Sequence, residues 1–259
     1  MAQQQTVRLA AVGDIHIRKT SQGALKAVLA PLSDAADVLL LCGDLTDYGL
    51  PEEAQVLAKE LSGVHIPMVG VLGNHDYESG QQTEVCRILT DAGVKLLDGE
   101  SVEIAGVGFA GAKGFAGGFG RATLGAWGER AIKSFVQEAL DETLKFESAL
   151  ARLRTPRRVA LLHYSPVAAT VQGEPLEIYP WLGTSRLEEP LNRYPVDVVF
   201  HGHAHYGSPE GRTQGGVLVF NVALPLLRTR YPERPPIKLY ALGGEVQSQS
   251  DATVGHGPV

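Results

Sequence analysis

The chain has 259 residues, of which 44% are hydrophobic and 20% charged, and its formal net charge is −6. This composition predicts a soluble domain with a sizeable core, and the acidic balance argues against a general nucleic-acid binder or a protein that binds anionic membranes. We expect no signal peptide, and no apolar run is long enough to span a membrane. The two cysteines, Cys42 and Cys86, are too few for a disulfide framework or a zinc finger. This use of cysteine favours the reducing cytoplasm as the compartment.

The first half of the chain alternates short apolar runs with amphipathic stretches, which predicts alternating strands and helices. The predicted strands are 7–12, 37–42 and 66–72, and the predicted helices are 21–34, 51–62 and 81–92. Pro51 suits the first turn of its helix, and Gly93 suits the residue that follows the last one. Buried strands that alternate with helices are typical of a sheet that is covered on both faces and built from βαβ units.

The second half of the chain is less regular. Strands separated by a turn are predicted over 94–111, a stretch rich in glycine and aromatic residues follows at 111–128, and the longest helical pattern covers 129–153. Later strands are predicted at 157–162, 196–200, 215–223 and 237–242. We expect one domain over 1–246 with an insert over about 111–155, and a disordered tail over 247–259, where the sequence is polar and glycine-rich.

Polar motifs follow five of the predicted strands. They are GDIH at 13–16, GDLTD at 43–47, GNHD at 73–76, HYSP at 163–166 and GHAH at 202–205. In α/β sheets functional residues gather at the carboxyl ends of the strands, so we expect these motifs to meet at one rim. Each motif alone is compatible with a turn, a helix cap or a buried histidine, but their joint presence in this order favours a shared site.

The rim would collect two carboxylates, one amide oxygen and four imidazoles. These candidate ligands are Asp14, His16, Asp44, Asn74, His163, His203 and His205. Carboxylate and imidazole donors without thiolate suit Mn, Fe, Zn, Co or Ni. This set exceeds the needs of one four- to six-coordinate ion but suits two ions that share a bridging carboxylate, an arrangement that serves phosphoryl transfer.

The series GDIH, GDLTD, GNHD, His and GHAH resembles that of the calcineurin-like metallophosphoesterases and spans residues 13–205. The resemblance implies an α/β fold, a four-layer αββα sandwich of two mixed β-sheets flanked by helices. It also implies a binuclear centre, with manganese or iron favoured as its ions. One metal would take Asp14, His16, Asp44 and His205, and the other would take Asp44, Asn74, His163 and His203, so that Asp44 bridges.

The same resemblance implies the chemistry, which is metal-dependent hydrolysis of a phosphate ester by in-line attack of a metal-bridging hydroxide. His75 would face the leaving oxygen as general acid, and Asp47 would accept a hydrogen bond from His75 and hold its tautomer. Asn74 would be both a ligand and a member of the catalytic set. Asp76 is expected to brace the turn, and His201, which matches no ligand, is expected to be a packing residue.

The substrate is less constrained than the centre. Protein phosphatases of the superfamily carry Arg and Glu where this chain has Tyr48 and Asp76, so the chain resembles instead the bacterial branch that includes cyclic-nucleotide phosphodiesterases. A small phosphodiester, including a cyclic nucleotide, is therefore the favoured substrate. The alternatives are a phosphomonoesterase or protein-phosphatase-like activity, a mononuclear metal hydrolase, and a non-catalytic scaffold. The sequence leaves the oligomeric state open.

The insert over 111–155 is the part of the chain expected to shape the substrate pocket. Phe119, Arg121 and Trp127 are predicted to contact the substrate, the aromatic rings by stacking and the arginine by binding phosphate. The alternative is that the aromatic side chains pack the insert onto the body of the domain and that Arg121 is solvated.

Overall fold

Eleven strands form two β-sheets in the computed structural model, which describes residues 6–30 and 32–243. Numbered along the chain, they are β1 Val7–Val12, β2 Val38–Cys42, β3 Met68–Val71, β4 Val94–Leu96, β5 Glu100–Ile104, β6 Val107–Gly111, β7 Arg157–Leu161, β8 Val198–His201, β9 Glu210–Arg212, β10 Leu218–Asn221 and β11 Lys238–Leu242. The first sheet has the order β11-β1-β2-β3-β4, and the second has the order β5-β6-β7-β8-β10-β9. Both sheets are mixed, because β11, β5 and β9 join antiparallel and the other pairs are parallel.

The two sheets pack face to face because their central strands are apolar on both faces. In β2, Leu40 points toward the second sheet, whereas Leu39 and Leu41 point outward, as the period of two in a strand requires. Phe109 and Phe200 of the second sheet belong to the same inner core as Leu40. Burial on both faces explains why the strand sequences are continuous apolar runs.

Helices cover the outer face of each sheet. Within the described residues the α-helices are α1 Lys26–Leu29, α2 Leu32–Ala35, α3 Pro51–Leu61, α4 Gln82–Asp91, α5 Arg130–Arg152, α6 Tyr179–Leu182, α7 Glu188–Arg193 and α8 Leu224–Arg230. Leu57 of α3 and Leu89 of α4 pack on the outer side of the first sheet, and Phe146 and Leu150 of α5 pack on the outer side of the second. The order helix, sheet, sheet, helix confirms the predicted four-layer αββα fold.

One predicted helix differs in the structure. The helix predicted over 21–34 is replaced by α1 and α2, each a single turn; the predicted span contains Pro31, which has no amide hydrogen to donate. Within the predicted insert over 111–155, α5 belongs to the outer layer, and residues 112–129 and 153–155 lie outside the strands and α-helices.

Two further predictions concern the carboxyl-terminal tail and membrane-spanning helices. The tail predicted over 247–259 lies outside the described residues. In the part of the chain that the structure covers, no helix combines the length and the apolar character needed to cross a membrane.

Hydrogen bonds join the carboxyl ends of the two sheets. The amide of Gly13, after β1, donates to the carbonyl of Val222, after β10, at 2.9 Å. Nδ1 of His163, after β7, lies 3.1 Å from the carbonyl of Cys42 at the end of β2. Because these contacts connect strands of different sheets, the loops that carry the predicted ligands meet on one rim of the sandwich.

Candidate metal centre

All of the predicted metal ligands lie in loops that follow strands of the two sheets. The donor atoms approach in three groups, and within each group they lie within 4.8 Å of one another: Asp14, His16 and His205; His16, Asp44 and His75; and Asp44, His163 and His203. Asn74 adds its Oδ1 atom, which lies 2.9 Å from Nε2 of His163. His16 and Asp44 each belong to two groups, and Asp44 is the carboxylate of the two, in the position that a bridging carboxylate needs. The division of the ligands between two metals stays a prediction.

The ligand loops hold an unfavourable backbone conformation. Among the described residues that are not glycine, positive φ angles occur at Ala105 and at four predicted ligands, Asp14, His16, Asp44 and His203, where φ ranges from 48° to 71°. A left-handed residue of this kind costs about 1–3 kcal/mol and persists only where the surroundings enforce it, as they often do at functional sites. Hydrogen bonds enforce it here, because the amides of Asp14 and His16 donate to carbonyls of the loop after β2 at 2.9 and 3.0 Å.

Two glycines allow the buried carboxylates to pass close to the backbone. A Cβ atom at Gly73 would lie 2.2 Å from Oδ1 of Asp44, and one at Gly202 would lie 2.2 Å from Oδ2 of Asp14. No side chain can be accommodated at these distances without movement of the carboxylate. The glycines of the GNHD and GHAH motifs are therefore explained by the close approach of a ligand from another loop.

We expect Gly202→Ala to destabilise the protein, because the added methyl group would overlap the Asp14 carboxylate. Overpacking of this kind costs about 1–3 kcal/mol of the free energy of unfolding. Gly63→Ala is the control, since Gly63 is exposed and its Cβ position has no described atom within 4 Å beyond its chain neighbours. Chemical denaturation measures both variants; equal stabilities would show that the ligand loop relaxes freely around the new methyl group.

Hydrogen bonds orient two buried imidazoles toward the centre. Nδ1 of His163 faces the Cys42 carbonyl, so Nδ1 carries the hydrogen, and Nε2, which lies 3.3 Å from Oδ1 of Asp44, keeps its lone pair. Nε2 of His203 lies 3.1 Å from the Trp181 carbonyl and donates its hydrogen to it, which leaves the lone pair of Nδ1 free to bind a metal. Burial lowers the pKa of both rings, that of His203 to about 3. Both rings are therefore neutral and able to bind a cation at neutral pH.

His16 provides the test of whether the site fits a cation. Neither of its buried ring nitrogens forms a hydrogen bond with a described residue, although Nδ1 lies 3.2 Å from Oδ1 of Asp47. A buried polar atom without a partner is costly and calls for an explanation. Nε2 lies 3.8 Å from Oδ2 of Asp44, and burial lowers the pKa of the ring. An unpaired, neutral imidazole nitrogen beside a buried carboxylate is an arrangement that a divalent cation would complete.

Two buried carboxylates, Asp14 and Asp44, set the charge of the centre. Burial and the nearby carboxylates of Asp14 and Asp76 raise the pKa of Asp44 well above its ordinary value. Burial opposes protonation of His205, but a hydrogen bond with Asp14 at 2.9 Å and the charge of that carboxylate outweigh burial, so the pKa of His205 is raised. A bound cation would relieve the repulsion between the carboxylates, which links cation binding to proton release.

The structure corrects the predicted pairing of Asp47 with His75. Nδ1 of His75 lies 2.7 Å from the main-chain carbonyl of Asp47 and donates to it, not to the carboxylate. The carboxylate instead faces His16 and accepts a hydrogen bond from Nε of Arg18 at 2.7 Å. The cause is local, because the Asp47 amide is bonded to the Ile17 carbonyl at 3.0 Å and the side chain turns toward residues 16–18. The main-chain carbonyl still fixes the hydrogen on Nδ1 of His75, and Nε2 does not take part in this hydrogen bond.

Buried polar side chains brace the ligand loops. Asp76 is fully buried and accepts hydrogen bonds from the amides of Thr46 and Gly73 at 2.8 Å each, which confirms its predicted role in bracing the turn. His201 is also fully buried, and its Nε2 lies 2.8 Å from Oγ1 of Thr170. His201 belongs to none of the three donor groups of the described residues, as expected of a packing residue.

Asn221 and Arg18 contact the site but were not among the predicted residues. Asn221 is buried at the end of β10, where Nδ2 donates to the Ala204 carbonyl at 2.7 Å and Oδ1 accepts from the Ala223 amide at 3.1 Å. It thereby holds the turn between His203 and His205. The signal that could have identified Asn221 was a polar residue at the end of an apolar run, the same signal that identified the ligands. Arg18 had no such signal.

The predicted substrate residues are not gathered at the centre. Phe119 is half-buried and packs on a cluster that contains Leu182 and Ala204. Ala204 lies in the sequence between the predicted ligands His203 and His205. Arg121 and Trp127 are exposed, and none of the described contacts joins either side chain to a predicted ligand. Contact of these three residues with a substrate stays a prediction.

A different segment, residues 172–183, which includes α6, lies beside the centre, and we call it the rim segment. The carbonyl of Trp181 contacts His203, and the carboxylate of Glu174 accepts a hydrogen bond from the Tyr206 amide at 2.7 Å, just beyond His205. Leu176, Trp181 and Tyr206 all expose large apolar surfaces to solvent. The rim segment is thus bonded to the loop of His203 and His205 and carries exposed apolar side chains, of which the Trp181 ring meets that of Phe135 edge to face with centroids 5.5 Å apart.

Comparison with known proteins gives one family and several structural relatives. The family model for calcineurin-like phosphoesterases matches residues 7–207. A probable cyclic nucleotide phosphodiesterase of Synechococcus sp. is 24% identical over 224 residues, which cover 80% of this chain and 76% of the relative. The structure of the phosphopantetheinyl hydrolase of Mycobacterium tuberculosis matches with a TM-score of 0.65 and 15% identity, over 96% of this chain and 98% of the hydrolase.

The fold is shared by proteins with different roles. GAP50, the anchor in the inner membrane complex of Plasmodium, matches with a TM-score of 0.51 and 12% identity, over 85% of this chain and 72% of that protein. Structural likeness at this level therefore supports the fold and not a particular activity. The family model is a stronger finding, because it matches most of the chain and includes the five strand-end motifs. The chain therefore belongs to the calcineurin-like phosphoesterases, a family of metal-dependent hydrolases.

Proposed function

We propose that the protein hydrolyses small phosphate esters at a binuclear metal centre formed by the predicted ligands, and that it prefers phosphodiesters, including cyclic nucleotides. The observation that carries this proposal is the position of Asp44, whose carboxylate belongs to two of the donor groups. One carboxylate shared by two sets of imidazoles is what two cations about 3.5–4 Å apart require. Manganese or iron suits this mixture of carboxylate, amide and imidazole donors.

His75 is the residue that we assign to the leaving group. Its main-chain amide donates to Oδ1 of Asp44 at 2.9 Å, which fixes the residue relative to the shared carboxylate. Its Nδ1 is occupied by the Asp47 carbonyl, so a protonated Nε2 is the atom that would donate to the departing oxygen. About a third of the side chain is exposed, so a substrate can reach the ring. The chemistry supplied by two bound cations would be activation of water and neutralisation of charge on the phosphoryl oxygens.

The rim segment supports a substrate with a second organic group. A phosphodiester carries two substituents, and the one that stays on phosphorus needs a surface beside the centre. Leu176 and Trp181 offer exposed apolar surface, and Trp181 is tied through its carbonyl to His203. An aromatic side chain at such a position can stack on a base or a sugar. The name of the Synechococcus relative, a probable cyclic nucleotide phosphodiesterase, agrees with this choice of substrate.

A substrate comparison tests the proposal. We expect Mn²⁺-reconstituted protein to hydrolyse bis-p-nitrophenyl phosphate and 3′,5′-cyclic AMP with a kcat/KM at least about 10-fold above that for p-nitrophenyl phosphate, the effect of one favourable apolar contact. A reversed preference would overturn the diester assignment and leave the metal centre in place. Two bound Mn²⁺ ions without hydrolysis of any of these esters would favour the non-catalytic scaffold.

Trp181→Ala extends this comparison to the rim segment. The contact with His203 uses the main-chain carbonyl of residue 181 and would remain in the variant. We therefore expect KM for the diester to rise while KM for the monoester changes little. Leu144→Ala is the matched control, because Leu144 is an exposed apolar residue of α5 outside the rim segment. Equal effects of the two variants would remove the rim segment from the proposal.

A further inference from the structure

We propose that Arg18 is a positioning residue of the metal centre, which acts through Asp47 on the ligand His16. The inference rests on the proposed binuclear centre and adds to it a residue outside the five motifs. Arg18 lies two residues after His16 in the sequence. Among the described contacts, its side chain reaches the centre through Asp47, the second acid of the GDLTD motif.

The Arg18 side chain holds one oxygen of Asp47. Nε of Arg18 donates to Oδ2 of Asp47 at 2.7 Å. The Asp47 side chain is only 9% exposed, whereas that of Arg18 is 62% exposed. The nearly buried carboxylate therefore receives its charged hydrogen bond from the solvent side. Charge-assisted bonds of this length belong to the stronger class, so Arg18 fixes the rotation of the Asp47 carboxylate.

The second oxygen of Asp47 faces the metal ligand. Oδ1 lies 3.2 Å from Nδ1 of His16, and Nε2 of His16 lies on the side of Asp44. A carboxylate beside one nitrogen of a ligand histidine favours the tautomer with its hydrogen there and leaves the other nitrogen for the metal. Oδ1 forms no hydrogen bond with Nδ1, so it acts on the ring through its charge. By holding that charge in place, Arg18 favours the tautomer in which His16 offers Nε2 to a cation.

Asp47 also connects the ligand to the proposed acid. Its carbonyl accepts the hydrogen bond from His75, and the rings of His16 and His75 meet edge to face with centroids 4.6 Å apart. The main chain of Asp47 is held independently by the Ile17 carbonyl at 3.0 Å. Loss of the Arg18 side chain should therefore release the carboxylate without unfolding the loop, and its effect should fall on metal binding.

Two substitutions of Arg18 test the inference. Arg18→Met removes the hydrogen bond but keeps a long unbranched side chain, and Arg18→Lys restores a charged donor. We expect Arg18→Met to bind one of the two Mn²⁺ ions about 10-fold more weakly, which is typical when the partner of a ligand histidine is disturbed. The Arg18→Lys variant should lie between it and the wild type. Equilibrium dialysis of the full chain against Mn²⁺ measures the affinities, and thermal unfolding of the metal-free proteins should differ little.

Kinetics separates positioning of the metal from binding of the substrate. At limiting Mn²⁺, Arg18→Met should lower kcat with KM unchanged, and excess Mn²⁺ should restore kcat. A defect of folding would not be corrected by added metal in this way. A raised KM at unchanged Mn²⁺ affinity would assign Arg18 to the substrate and overturn the inference.

Arg8→Met is the matched control. Arg8 forms the same kind of ion pair, with Nη2 at 2.7 Å from Oδ1 of Asp37, but at the amino end of β1 and so opposite the rim. This variant should bind both Mn²⁺ ions as the wild type does. If Arg18→Met had the same Mn²⁺ affinities as Arg8→Met, the inference would be wrong. A wild-type protein that binds no Mn²⁺ would instead overturn the proposed centre itself.

Discussion

Asp44→Asn should lose both cations at Mn²⁺ concentrations that saturate the wild type, and its hydrolytic activity should fall by about 10³-fold or more, which corresponds to about 4 kcal/mol of transition-state stabilisation. The reason is that Asp44 is the only described residue that belongs both to a donor group containing His16 and to the donor group containing His163. An amide oxygen can still accept the hydrogen bond from the His75 amide at 2.9 Å, so the loop should keep its shape. Dialysis against Mn²⁺ followed by elemental analysis measures the stoichiometry.

The same substitution should stabilise the metal-free protein. Burial and neighbouring carboxylates raise the pKa of Asp44 in the fold, and a carboxyl group whose pKa is raised by folding favours the folded state only while it is protonated. Its contribution is present at low pH and is lost as the pH rises through the raised value. Asparagine has no such titration, so the variant should gain on the metal-free wild type as the pH rises, as judged by thermal unfolding.

Asp37→Asn is the control for this pH dependence, because its shift has the opposite sign. Hydrogen bonds from Arg8 lower the pKa of Asp37, so the ionised carboxylate stabilises the fold at neutral pH. Replacing this carboxylate by an amide should therefore destabilise the protein at neutral pH. Two results would contradict the bridging role of Asp44. One is an Asp44→Asn variant that loses a single cation, and the other is a variant that still gains thermal stability from Mn²⁺ as the wild type does.

The strand ends could be predicted from the sequence because two signals coincide at each of them. A continuous apolar run, such as 38–42, indicates a strand covered on both faces, and the polar residues after it indicate the carboxyl end. Asp14, Asp44 and His163 are predicted on one rim for this reason, and the structure brings them there from two different sheets. The same argument would have included Asn221, which ends β10.

The contacts inside the loops could not be predicted from spacing. Asp47 offers its carbonyl and not its carboxylate to His75, in a loop whose Asp47 amide is bonded to the Ile17 carbonyl of another loop. The left-handed backbone at Asp14 and Asp44 could not be predicted from the sequence either, because aspartate adopts that conformation only in certain surroundings. Sequence patterns report which surfaces are buried, whereas these features depend on how two loops meet.

His75→Ala should keep both cations and lose about 10²–10⁴-fold in kcat, the usual contribution of a general acid. The hydrogen bond to Asp44 comes from the main-chain amide of residue 75, so it remains when the ring is removed. What disappears is an imidazole whose Nδ1 is held by the Asp47 carbonyl at 2.7 Å. Mn²⁺ stoichiometry and kcat of the variant, measured beside the wild type, test the two halves of this expectation. His65→Ala is the matched control, because His65 is exposed and lies outside the five motifs.

The leaving group distinguishes a proton donor from a residue that only binds the substrate. A nitrophenolate departs without much help, whereas an alkoxide needs a proton as the bond to phosphorus breaks. His75→Ala should therefore impair hydrolysis of an alkyl ester more than hydrolysis of a nitrophenyl ester. Equal losses for the two esters would mean that His75 orients the substrate without donating a proton. Loss of a cation would instead make His75 a ligand, since its ring lies in the same donor group as His16 and Asp44.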